Sequence, residues 1–210
     1  MTTLNTLKEQ LRDAKSHTDP AEGESVKKFM PDGCLDRILT AEAVALVLAD
    51  PAFGIPEHKL DSTIDIVSKD SLKLLAILVE LNLESNIIHF LENDTSDERL
   101  PLRLDELKIL LQHNALHFER LQWDYLPFRF RAGLYQTNVS SEKVIPYTLQ
   151  KKVGSGGFSV VYKVAIHPAQ QYLASHKACS EASLLEPFVP NPMLGYIFRA
   201  QKAYHLSLQL

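Results

Sequence analysis

The chain has 210 residues, of which 45% are apolar and 23% charged, and a formal net charge of −4. This length allows one or two domains, and the composition is that of an ordinary globular protein rather than a disordered one. The mild negative charge excludes the broad basic surface of a nucleic-acid footprint and gives no attraction to an anionic membrane. The longest apolar run, residues 72–83, is interrupted by Lys73, Glu80 and Asn82, too short and too charged to span a bilayer.

Leu4, Leu7 and Leu11 recur at helical spacing in a polar N-terminus, which predicts a short amphipathic helix over residues 1–16 and no secretory apolar core. The expected compartment is therefore the cytoplasm or nucleus. Residues 16–25, SHTDPAEGES, read as a flexible polar linker. In the ordered block that follows, Thr40 is placed to cap a helix over Ala41–Leu48, and Asp50-Pro51 stops it because the residue before proline avoids helical geometry. Asp61–Val67 predicts a second helix. Asp70 is placed to cap a third, whose apolar residues cover most of its circumference from Leu72 onward, as in a buried central helix. Residues 84–91 continue the apolar pattern, Glu92–Arg99 read as a surface loop, and Asp105–Arg120 predict one more amphipathic helix. Leu121–Phe130 are aromatic-rich with one proline, which suits extended structure at an edge. After a polar connection, Tyr147–Val153 and Phe158–Ile166 read as a β-hairpin. Beyond His167-Pro168 the pattern is hard to read. Ala169–Leu185 are helix-compatible, three prolines follow within six residues, and Leu194–Leu210 have no firm period.

The chemistry lies in that hairpin. Lys152-Val153-Gly154-Ser155-Gly156-Gly157-Phe158-Ser159-Val160-Val161-Tyr162-Lys163-Val164 puts three glycines and an aromatic between two β-prone segments. Glycine-rich turns bring bare N–H groups close to phosphate oxygens. The mononucleotide loop needs a Gly-Lys-Ser/Thr that is missing here. The dinucleotide fingerprint needs a helix where this chain has a strand. What remains is the Gly-x-Gly-x-x-Gly-x-Val loop joining two antiparallel strands.

At these residues the chain resembles the protein kinase family. Ser159 stands where a third glycine is usual. The resemblance implies that Gly154, Ser155, Gly156 and Gly157 cover the phosphates of ATP with Mg²⁺ and that Phe158 shields them at the loop tip. Val153 and Val161 would enclose the adenine. Lys177, 23 residues after Gly154, has an acceptable spacing for the phosphate-binding lysine. A helical block ahead of a kinase-like start is similar to protein-kinase-domain proteins of filamentous fungi. His-Arg-Asp, Asp-Phe-Gly and Ala-Pro-Glu are absent from the sequence, so neither the catalytic base nor the Mg²⁺ carboxylate of phosphoryl transfer is present.

The expected fold is α+β: a helical N-terminal domain, then an incomplete kinase-like N-lobe hairpin and an irregular tail. The expected divisions are a flexible segment 1–25, a helical domain 26–130, a partial N-lobe 131–176 and the tail 177–210. The expected function is that of a truncated protein-kinase-like protein, nominally ATP-binding and Ser/Thr-phosphotransferring but without catalysis of its own. The alternative is a non-catalytic helical module that binds protein partners.

Other clusters have plainer readings. His113 and His117 have helical chelating spacing, but no third ligand is near and surface positions explain them better. Glu92, Asp94, Asp97 and Glu98 lack the glycine of a calcium loop. Cys34 and Cys179 lie far apart in sequence, neither in a pair with metal-ligand spacing, and read as free buried thiols. Trp123, Tyr125, Phe128 and Phe130 read as a local core joining the helices to the hairpin.

Overall fold

The structure, a computed structural model, describes residues 3–131, 137–155, 159–172, 196–201 and 205–209. It mixes helix and strand and divides into two units. The first comprises residues 1–16 and 28–126, the second residues 17–27 and 127–210. Among the described residues no helix is long and apolar enough to cross a membrane.

The helical unit begins with α1 (Leu4–Asp13), where the Thr3 hydroxyl accepts from the Thr6 N–H at 3.2 Å and caps the first turn. Leu7 and Leu11 are fully buried, so the start of the chain is part of the core. The expectation of a flexible segment over 1–25 is corrected here. A stripe of leucines on one face cannot stay in water when an apolar core is available to it.

Two-residue strands β1 (Ser16–His17) and β2 (Lys28–Phe29) flank a short excursion of the chain, and α2 (Cys34–Ile38) follows. Then comes α3 (Ala41–Leu48), with Thr40 accepting from the Ala43 N–H as its sequence suggests. The second expected helix is longer than its periodicity implied: α4 runs Glu57–Asp70 from a cap at Pro56. Ser71 alone separates it from α5 (Leu72–Leu81). Leu74 through Val79 are all fully buried, as an all-round apolar helix requires.

The N-terminus of α5 is not capped by Asp70. Asp97, from a distant loop, accepts from the Lys73 and Leu74 N–H groups at 2.8 and 3.0 Å. Asn82 ends α5 in the left-handed region at φ 58°, and the Leu83 N–H returns to the Leu78 carbonyl at 2.8 Å. This is the six-to-one bond of a Schellman ending.

After α6 (Ile87–Glu92), the expected single helix over 105–120 is two helices, α7 (Leu104–Leu111) and α8 (Ala115–Leu121). They are separated at Gln112, whose φ is 50°. The break lets Leu107, Leu111, Ala115 and Phe118 all reach the core, where Phe118 stacks on Phe90 at 5.5 Å. Residues 122–125 form a 3₁₀ turn rather than extended chain.

The second unit holds a parallel pair, β3 (Phe130–Arg131) with β7 (Gln171–Tyr172), and a five-stranded sheet. The sheet order is β4 (Thr137–Asn138), β9 (His205–Gln209), β8 (Tyr196–Gln201), β6 (Ser159–Ile166) and β5 (Tyr147–Ser155). Its neighbouring strands are all antiparallel. Tyr196–Gln201 and His205–Gln209 are thus strands where the sequence reading expected an irregular tail. A small apolar cluster of Phe130, Tyr147, Val164 and Ile166, with Phe128, Ile145 and Tyr162 against it, covers one face of the hairpin.

Candidate functional site

Strands β5 and β6 pair from Tyr147↔Ile166 to Ser155↔Val160. A strand, Ser159–Ile166, and not a helix follows the glycines, so the dinucleotide alternative is not realised. Two register shifts interrupt β5. In the second, Lys152 lies opposite Tyr162 while Gly154 lies opposite Val161. Val153 and Gly154 therefore share Val161 as partner, the pattern of a β-bulge.

The alternation of β6 fixes which way these residues face. Tyr162, Val164 and Ile166 turn into the apolar cluster, so Val161, Lys163 and Ala165 turn to the other face. On that open face lie Leu149 opposite Ala165, Lys151 opposite Lys163, and the Val153–Gly154 bulge opposite Val161. Val153 is 54% exposed and Leu149 52%, so this face has apolar side chains in water with two lysines beside them.

Gly154 is the informative glycine. A Cβ built on it meets nothing within 4 Å, and its φ is not in the left-handed region. The fold described here gives no steric or dihedral reason for glycine at this position. Ser155 is exposed at the end of β5. Ser159 opens β6 opposite Gln201 of β8. Gly156, Gly157, Phe158 and Lys177 lie outside the described residues.

The remaining sequence candidates disperse. His113 falls in the break between α7 and α8 and His117 on α8, so they do not share a helix; the His113 ring is 3.2 Å from the Asn114 amide. Of the acidic loop, Asp97 is spent on capping α5, and among the described residues no group of three potential ligands could hold a metal. The aromatic segment is divided: Tyr125 belongs to the helical core, while Phe128 and Phe130 meet edge-on at 4.9 Å in the hairpin cluster.

The sequence reading missed a buried ionic centre in the helical unit. The Lys15 ammonium lies 2.8 Å from Glu80 Oε2, 3.0 Å from Asp124 Oδ2 and 4.8 Å above the centre of the Tyr125 ring. Burial pushes the Asp124 carboxyl above its usual value, against the pull of Lys15. Burial also raises the Tyr125 phenol well above its ordinary value, helped by the negative charge of Glu80. A signal was available: Lys15 continues the Leu4, Leu7, Leu11 stripe of α1, and Glu80 sits inside the most apolar stretch of the chain. Each carbon stem runs with apolar neighbours and each head needs a partner.

No family model, curated protein or solved structure matches this chain.

Proposed function

We propose that the β5–β6 hairpin is a nucleotide-covering loop of the protein-kinase type and that the chain binds ATP with Mg²⁺ without transferring its phosphoryl group. The observation that carries this reading is the bulge at Val153–Gly154. It presents an exposed valine and a glycine of open surroundings on the same face as Val161. A flat base would lie on the apolar surface that Val153 and Val161 present together, and a glycine without a structural duty suits close approach of a phosphate. Ser155 and Ser159 flank the turn, and Gly156, Gly157 and Phe158 complete it in sequence. Lys151 and Lys163 add positive charge to that face. Lys177 is the proposed partner of the α- and β-phosphates. Bound ATP would supply the triphosphate charge that these backbone amides and lysines meet. The sequence offers no base for a substrate hydroxyl, so binding, not transfer, is the activity proposed.

The test is Mg-ATP titration of the 210-residue chain, followed by a fluorescent nucleotide analogue and by thermal shift. A ligand at a hundred times its Kd stabilises the fold that binds it by about 2.7 kcal/mol. Gly154→Val is expected to abolish binding while leaving the melting of the free protein unchanged, because its side chain enters open space. Absence of binding to the wild-type chain refutes the reading. So does a Gly154→Val variant that binds as well as wild type.

A further inference from the structure

The outer edge of β5 carries an unusual occupant. Strand β5 ends the sheet order, and among the described residues no strand pairs with its outer edge. Residues 17–27 lie there instead. The Asp19 N–H donates to the Tyr147 carbonyl at 2.7 Å, and the Gln150 N–H donates to Asp19 Oδ2 at 2.6 Å. The Gln150 side-chain amide donates to the Asp19 carbonyl at 2.8 Å. One residue thus makes three bonds, two of them to the strand's own backbone, and its carboxylate stands where a ladder carbonyl would be. Pro20 follows and has no N–H to continue the pairing.

The rest of the segment is lightly held. The Thr18 N–H meets the Lys27 carbonyl and the Lys27 N–H meets the Thr18 hydroxyl, both at 2.9 Å, closing the segment on itself. The Lys27 ammonium reaches the Ser141 carbonyl at 3.2 Å. No side chain from His17 to Lys27 is buried, and Val26 is 56% exposed. Segments fastened by a few polar bonds and no apolar anchor open at the low end of a protein's stability range.

We propose that the outer edge of β5 is a strand-addition site for an extended acidic peptide and that residues 17–27 are its displaceable internal ligand. An exposed strand edge is a ready template for an added strand. The internal segment displays the recognition chemistry: an aspartate whose carboxylate takes the Gln150 N–H while its own N–H reaches the Tyr147 carbonyl. A partner with an N–H-bearing residue in place of Pro20 continues along Lys151–Ser155, where exposed Lys151 and Lys152 favour further acidic side chains. This inference stands apart from the nucleotide reading in its backbone contacts, which lie on the strand edge and not on the open face; among side chains Lys151 alone enters both.

The test uses the full chain with residues 17–27 replaced by a Gly/Ser segment of equal length, and a fluorescent peptide with the sequence of residues 17–27. The peptide is expected to bind the replaced chain, and at least about tenfold more weakly the wild-type chain, whose own segment competes. A peptide with alanine at the Asp19 position is expected to lose at least about tenfold. Failure of the peptide to bind the folded replaced chain overturns the proposal, as does equal binding of the aspartate and alanine peptides. Amide exchange on the full chain decides if the replaced chain does not fold. Asp19→Ala is expected to speed exchange at Gln150 at least about tenfold, with Leu75–Val79 unchanged and Glu22→Ala without effect. Unchanged exchange at Gln150 overturns the proposal.

Discussion

Replacing Lys15 with methionine tests the buried ionic centre most directly. Methionine keeps the unbranched apolar stem of lysine and deletes the terminal ammonium with its charge and hydrogen bonds. The Lys15 and Glu80 side chains are only 4% and 6% exposed, whereas Asp124 is 24% exposed. In the variant Asp124 can turn to water, but Glu80 keeps a carboxylate with no cation beside it. Removing one partner of a buried pair costs about 3–5 kcal/mol, and the lost contact with the Tyr125 ring adds of the order of 1 kcal/mol. A unit of roughly a hundred residues has about 5–15 kcal/mol to lose in total. The midpoint of thermal unfolding should therefore fall by well over 10 °C, at about 4 °C or more per kcal/mol. Urea unfolding followed by far-UV circular dichroism gives the free energy. Adding Glu80→Leu to Lys15→Met should restore most of the loss, because a buried ion pair exchanged for apolar residues of similar volume is close to neutral. A loss below about 1 kcal/mol in the single variant, or no recovery in the double, refutes the argument.

Two other changes probe how the helices are tied together. Burial raises the Asp97 pKa despite its two backbone N–H bonds and the neighbouring Lys73. With the folded pKa above the unfolded one, the contribution is full below the ordinary aspartate value of about 3.9 and is lost as pH rises through the folded pKa. Wild type should therefore lose stability relative to Asp97→Asn as pH rises across that window; a relative gain would mean that the helix N–H groups dominate. Asp97→Ala, measured in urea, should cost about 0.5–2 kcal/mol through loss of the cap. Gln122 is buried and clamps Leu102, accepting from its N–H at 2.8 Å and donating to its carbonyl at 3.0 Å. Gln122→Ala leaves both groups unpaired and should cost about 2–4 kcal/mol by the same measurement; a loss under about 0.5 kcal/mol would mean that water replaces the clamp.

The elements that could be read from sequence are those whose signals are local. Thr40 and Pro51 bracket α3, the all-round apolar pattern marks α5 as central, and glycines between β-prone runs mark the β5–β6 hairpin. What could not be read depends on residues far apart in the chain. Nothing in Gln112-His113-Asn114 announces a left-handed residue, and the break there follows from packing α7 and α8 on the same core. The cap of α5 lies 23 to 24 residues beyond the N–H groups it serves. Residues 17–27 look like a linker because their few contacts are polar, and Lys15 looks exposed because its two counter-ions come from residues 80 and 124. In the glycine hairpin, strand pairing was legible, but the bulge that turns Val153 and Gly154 toward Val161 was not.

The burial of α1 bears on how this protein can be divided. A recombinant fragment begun near residue 26, where composition suggests a clean boundary, would strip Leu7, Leu11 and Lys15 from the helices they complete. Glu80 would be left against an empty groove of leucines, and such a fragment should aggregate. A shortened version that keeps the helices soluble must retain the first sixteen residues and bridge directly from Ser16 to Lys28.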